Sequence, residues 1–190
     1  MSTAESVSPT ALPRILPAEP PYSEAASTWF ARIMPEGAEP LLLFRTLAVN
    51  ERVFGRVMAG GLLDRGSISM RDRELVIDRT TWRCGSEYEW GVHVAFFGSR
   101  VGFGEAEIAG LCSADVEATP FEPREKLLLR LCDELHATAT VTGDLWSALA
   151  VEYTSEQLIE LVVLAGLYHV ISFATNALRI PLEPFGARFP

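Results

Sequence analysis

The stretch from Met70 to Gly98, MRDRELVIDRTTWRCGSEYEWGVHVAFFG, carries carboxylates, a thiol and an imidazole along two consecutive helical patterns. Ser86, Glu89 and His93 stand at i, i+3 and i+7, so one side of a helix presents all three while Tyr88 points away. Glu74, on the preceding pattern, comes alongside only if the chain makes a tight helix-turn-helix at Arg83-Cys84-Gly85, and Gly85 suits that turn. The chemistry such a group could do is proton transfer. A neutral imidazole beside a carboxylate accepts a proton near neutral pH. Two carboxylates near the same ring raise its pKa and favour the imidazolium, which is an acid rather than a base.

Each of these residues also has a plainer use. Ser86-x-x-Glu89 is the pattern of a capping box, and a first-turn carboxylate is favoured by the helix dipole by roughly 0.3–1 kcal/mol. Glu74 can form surface ion pairs with Arg71 or Arg73. Cys84 reads either as a displaced nucleophile or as a small buried apolar side chain. His136 and His169 read as packing or hydrogen-bonding residues. Metal binding needs three convergent ligands, and Glu89 with His93 supplies two; Glu74 as the third makes a weak site, so no metal and no cofactor are expected.

Glu74, Ser86, Glu89 and His93 fall on the pattern Glu-x11-Cys-x2-Cys-x3-His, which resembles the active site of the alkylhydroperoxidase D-like proteins. These share an all-helical fold with the carboxymuconolactone decarboxylases. The segment EKLLLRLCDELHATATVTGDLWSALAVEYTSEQLIELVVLAGLYHVISFATNALRIPLE is similar to the C-terminal half of the carboxymuconolactone decarboxylase-like branch, and the resemblance runs from about Leu41 onward. It implies an all-α alkylhydroperoxidase D-like helical bundle and a homo-oligomer (dimer, trimer or hexamer). Carried onto this chain, it makes His93 the acid/base, Glu74 its orienting or relaying partner, and Glu89 the third catalytic group. Ser86, Cys84 and Trp90 are expected as the substrate-binding positions.

Ser86 and Glu89 occupy the two cysteine positions of the pattern, and thiol peroxidase chemistry needs an attacking thiolate with a resolving thiol in reach. The expectation is therefore cofactor-free decarboxylation, isomerisation or elimination on a small carbonyl or lactone compound. The alternatives are a thiol peroxidase that uses Cys84, and a non-catalytic ligand-binding oligomer. A carboxylate substrate would need Arg71, Arg83 or an arginine from another subunit. Trp82, Trp90, Phe96 and Phe97 either line a pocket or fill the core.

Composition bounds the rest. With 190 residues, 48% of them hydrophobic and 22% charged, the chain is long enough for one domain with a real core. A formal charge of -9 argues against nucleic acid or an anionic membrane as partner, which leaves a small-molecule substrate. The cysteines Cys84, Cys112 and Cys132 contain no CxxC, which fits reduced thiols in the cytoplasm. No basic segment followed by an apolar one marks a secretion signal at the N-terminus. The apolar run from Leu158 to Val170 contains Glu160 and His169 and suits a core or interface helix better than a membrane span.

Pro9, Pro13, Pro17, Pro20 and Pro21 predict an extended N-terminal arm over residues 1–22, followed by a single helical domain over 23–182 and a tail over 183–190. Apolar spacing near 3.6 predicts helices over Ala25–Met34, from Pro40 to Gly60 with a break around Asn50, and from Ser69 to Gly85. Further helices are predicted from Ser86, over Glu105–Leu111, over Arg124–Ala137, from Thr142, and from Thr154 or Ser155 to about Leu178. The last of these is apolar on several sides, so it belongs to the core or to a subunit interface.

Overall fold

The computed structural model describes residues 12–62 and 64–190; the first part of the arm, including Pro9, lies outside them. The described residues form an all-helical fold: α1 (Glu24–Ile33), α2 (Leu42–Ala48), α3 (Glu51–Gly60), α4 (Met70–Arg83), α5 (Glu87–His93), α6 (Glu105–Leu111), α7 (Pro123–Thr138), α8 (Gly143–Glu152) and α9 (Ser155–Leu178). A π-helical turn at Val94–Gly98 and a 3-10 turn at Ser99–Val101 extend α5.

Helix starts follow their caps. Ser69 accepts a hydrogen bond from the Asp72 amide at 3.0 Å, and Asn50 accepts one from Val53 at 3.2 Å, which makes the expected break into the start of α3. Thr154 and Gln157 exchange reciprocal bonds at the head of α9. The turn that returns the chain after α4 is a Schellman motif. Ser86 N donates to Thr81 O and Gly85 N to Trp82 O, both at 2.8 Å, with Gly85 at a φ of +63°. That motif is what sets α5 back against α4.

Two apolar clusters share α9. Leu75, Val76 and Ile77 of α4 pack with Leu128, Leu131, Leu145, Leu158, Leu161 and Leu164 in one. Phe30, Leu43, Phe54, Tyr88 and Ile171 make the other. Helix α4 runs through the centre, and every residue from Asp72 to Thr81 is buried although most are polar. Those polar groups therefore need partners inside the protein. Arg79, fully buried, shows how: its guanidinium takes both oxygens of Asp133 at 2.8 and 2.6 Å and the carbonyls of Leu111 and Ser113 at 2.9 and 2.7 Å.

Helix α9 is long and apolar enough, by length and composition, to cross a membrane. One side of it packs on α4, α5 and α8. On the other, Ile159, Val163, Val170 and Phe173 stand exposed at heptad-like spacing.

The tail after α9 is strapped onto the domain. Glu183, 8% exposed, accepts from Tyr88 Oη at 2.7 Å and from Leu42 N at 2.6 Å, and Ala187 N donates to Gly91 O at 3.0 Å. A Cβ on Gly91 would meet the Ala187 carbonyl oxygen at 2.3 Å, so only glycine admits this approach. Gly91→Ala is accordingly expected to lift the tail off α5 and to cost on the order of 1–3 kcal/mol. Faster tryptic cleavage after Arg188, alongside a lower Tm, is the measurable sign; wild-type protection would refute the strap.

Candidate active site

His93 ends α5 with its ring turned onto α4. Its Nδ1 lies 2.8 Å from Glu74 Oε2, its Nε2 is 3.0 Å from Tyr168 Oη of α9, and Glu89 Oε1 stands 3.5 Å from the same Nε2. The last separation is a charge contact more than a hydrogen bond. Glu74 is itself held from behind, where Arg73 Nε reaches its Oε1 at 2.9 Å. Glu74 of α4 thus meets Glu89 and His93 of α5 at the junction of α4, α5 and α9. They are 0%, 7% and 4% exposed, so Glu89 is the member nearest solvent.

The π-helical turn directly follows His93, and this wider turn carries half-buried Phe97 beside the imidazole, 5.4 Å between ring centroids. The Arg73 guanidinium lies over the Phe97 ring, 5.4 Å from its centroid. Phe96, one residue earlier, leans on Phe185 of the tail at 5.1 Å.

Burial opposes the charged form of His93, but hydrogen bonding and charge from Glu74 and Glu89 outweigh it and push its pKa up to about 10. The imidazole is a cation at neutral pH, with Nδ1–H donated to Glu74. Its Nε2–H then points at Tyr168 and Glu89. Burial, with Glu89 and Glu74 adding to it, drives the Tyr168 phenol well above its ordinary pKa, so it stays protonated.

Asp78, one helical turn after Glu74, belongs to the same group. Neither carboxyl oxygen has a hydrogen-bond partner among the described residues, and burial raises its pKa well above the usual carboxylate range. A folded state that holds this proton loses stability relative to the unfolded chain as pH rises above the unfolded carboxyl pKa. Asp78→Asn mimics the protonated form. It is expected to leave Tm unchanged near pH 4 and to raise it by a few degrees at pH 8, on the order of 1 kcal/mol. A lower Tm at pH 8 would contradict this reading of Asp78.

The remaining expected positions are placed differently. Ser86 is fully buried and its hydroxyl bonds Thr175 Oγ1 at 2.8 Å, so it makes no side-chain cap; with Glu89 turned to His93, the capping box is not formed. Trp90 is fully buried against Phe189, 5.1 Å between centroids. The Glu74–Arg73 pair forms, but inside the protein rather than on its surface. Arg71 is occupied by Glu107 and by Glu125 at 2.5 Å, and Arg83 lies 3.5 Å from Asp133; the arginine beside His93 is Arg73, which is itself paired with Glu74. Cys84, at the far end of α4, faces His136 at 3.7 Å and not His93. Burial raises its thiol pKa, the reverse of an activated nucleophile.

Sequence reasoning missed Tyr168 and Asp78 as members of the group. Asp78 was findable, because i+4 from Glu74 is the same helix face. Tyr168 arrives from a helix far along the chain, and no spacing announces it.

The fold that carries this group is the alkylhydroperoxidase D fold, an all-helical one. Two solved structures are similar to the chain almost end to end. The alkylhydroperoxidase AhpD core of an uncharacterized peroxidase-related protein from Ralstonia eutropha JMP134 matches at a TM-score of 0.75 and 14% identity, covering 92% of this chain and 94% of that one. An uncharacterized peroxidase-related protein from Silicibacter sp. TM1040 matches at a TM-score of 0.67 and 13% identity, with 96% of each chain covered. No family model and no curated protein matches the sequence.

Proposed function

We propose that the chain is a carboxymuconolactone decarboxylase-like protein that performs cofactor-free acid/base chemistry on a small carbonyl or lactone compound. The observation that carries this is the oriented imidazolium: Glu74 fixes Nδ1 at 2.8 Å while Nε2 faces Glu89 and Tyr168. Glu89, the most solvent-near carboxylate, takes the proton next to the substrate carbonyl. The electron pair left on carbon moves onto the carbonyl oxygen, where the His93 Nε2–H stabilises the developing enolate. Return of the proton from Glu89 to another carbon completes an isomerisation, and expulsion of a β leaving group by the enolate completes an elimination. In a decarboxylation the carbon–carboxylate bond breaks in place of the C–H bond, its electron pair moves onto the same carbonyl oxygen, and the carbon then takes a proton from solvent by way of Glu89.

The peroxidase alternative is less well supported, since Ser86 and Glu89 carry no thiol and the Cys84 thiol is held protonated. A second reading rests on burial: with Glu74 and His93 nearly sealed, the group is a structural ion network in a non-catalytic, ligand-binding protein. The exposed apolar stripe of α9 supports the homo-oligomer included in either reading.

Exchange of α-protons in deuterium oxide, followed by NMR across a panel of small ketones, lactones and keto acids, separates the two. The enzyme reading expects exchange by wild type that falls at least about 100-fold in His93→Ala, within the range general acid–base groups contribute. Exchange that persists in a folded His93→Ala, or none with any compound, favours the structural network.

A further inference from the structure

The chain has three histidines, and the two not used above meet a cysteine. Cys84 closes α4, His136 lies in the last turn of α7, and His169 sits in the middle of α9. Their ligand atoms all lie within 4.8 Å of one another. Cys84 Sγ is 3.7 Å from His136 Nδ1, which is 3.2 Å from His169 Nε2.

The 3.7 and 3.2 Å separations match two edges of a tetrahedral zinc site. Zinc bound at about 2.05 Å to nitrogen and about 2.3 Å to sulfur sets neighbouring donors roughly 3.3 Å apart for two nitrogens and roughly 3.6 Å for nitrogen and sulfur. The tautomers agree. His169 Nδ1 is 2.8 Å from the Ala165 carbonyl, which can only accept, so Nδ1 carries the hydrogen and Nε2 presents its lone pair to the cluster. His136 Nδ1, 3.2 Å from that lone pair, donates its hydrogen to it in the metal-free protein; a bound cation takes the place of that hydrogen, the ring keeping its proton on Nε2, and three electron-pair donors then surround one point. The donors are held in place from outside: Asn176 Nδ2 donates to the Cys84 carbonyl at 2.8 Å, and Phe173 packs edge-on to His169 at 6.1 Å.

The geometry points to a binding site for one zinc-class divalent cation, held by Cys84 Sγ, His136 Nδ1 and His169 Nε2, with solvent as the fourth ligand. Binding displaces the Cys84 thiol proton into solution, leaving a thiolate on the metal. Cys84 is ten residues beyond Glu74 on α4, about 15 Å along the helix, so this site is separate from the imidazolium group.

Titration of the metal-free full chain with Co(II) tests it, with Zn(II) as competitor and circular dichroism as the check on folding. One equivalent is expected to give the visible bands of a four-coordinate cobalt ion and a near-ultraviolet thiolate charge-transfer band, both removed by Zn(II). Cys84→Ser should lose the charge-transfer band. His169→Ala should weaken binding by more than the roughly 10–100-fold that loss of an outer-shell partner costs. His93→Ala should bind as wild type does, whatever its effect on proton exchange. Absence of these bands in folded wild type, or an unchanged charge-transfer band in folded Cys84→Ser, would overturn the assignment.

Discussion

Glu74→Ala is expected to be the most destabilising single change at the site. The side chain is 0% exposed and satisfies two cations at once, His93 Nδ1 at 2.8 Å through Oε2 and Arg73 Nε at 2.9 Å through Oε1. Removing it leaves both in a buried setting with their shared counter-charge gone, and breaking a buried pair this way costs about 3–5 kcal/mol. For a chain of this size that corresponds to a fall in Tm of roughly 10 °C or more. Glu74→Gln keeps an acceptor without the charge and should lose less. Thermal unfolding of the two variants at pH 7 checks the order. A Glu74→Ala protein within about 2 °C of wild type would mean that Arg73 and His93 draw no stability from the pair.

The second large effect is on the pH dependence of stability. The His93 pKa is raised from 6.5 to about 10, because the contacts with Glu74 and Glu89 outweigh a burial penalty that acts the other way. A group whose folded pKa lies above its unfolded one contributes stability that is fully present below about 6.5. That contribution drains away as pH climbs through about 10. Wild type is therefore expected to lose on the order of a few kcal/mol between pH 7 and pH 10. Asp78, which faces the same group, acts in the same direction from lower pH, because its raised pKa costs stability as pH rises above the unfolded carboxyl pKa. His93→Gln should flatten the slope between pH 7 and pH 10. A wild-type Tm that is level from pH 7 to pH 10 would contradict the raised pKa.

Much of the fold was legible because its signals are local. Ser69, Asn50 and Thr154 each cap the helix that follows, and Gly85 makes the turn that its sequence position suggested. The pairing of Glu74 with His93 was legible too, since the Schellman motif at Cys84–Ser86 leaves α5 little choice but to return along α4. What stayed hidden depends on contacts from distant helices. Ser86 and Glu89 satisfy the capping-box pattern by type and spacing, yet Thr175 of α9 takes the serine hydroxyl and His93 the glutamate. Tertiary partners overrode a local motif. The Cys84, His136 and His169 cluster left no trace for the same reason, as its members sit on three helices 52 and 33 residues apart. The tail is a further case: its anchor is a backbone approach to Gly91, and hydrophobic periodicity does not report such an approach.

The charge on His93 decides which chemistry the site can do. Spectra of ring-labelled ¹⁵N histidine recorded at pH 8, with His93→Ala used to assign one of the three histidines, read it directly. The geometry predicts that His93 carries protons on both nitrogens at that pH and begins to lose one only toward pH 10. A His93 that is singly protonated at pH 8, titrating near 6.5 as a free imidazole does, would contradict the imidazolium and with it the proposed chemistry.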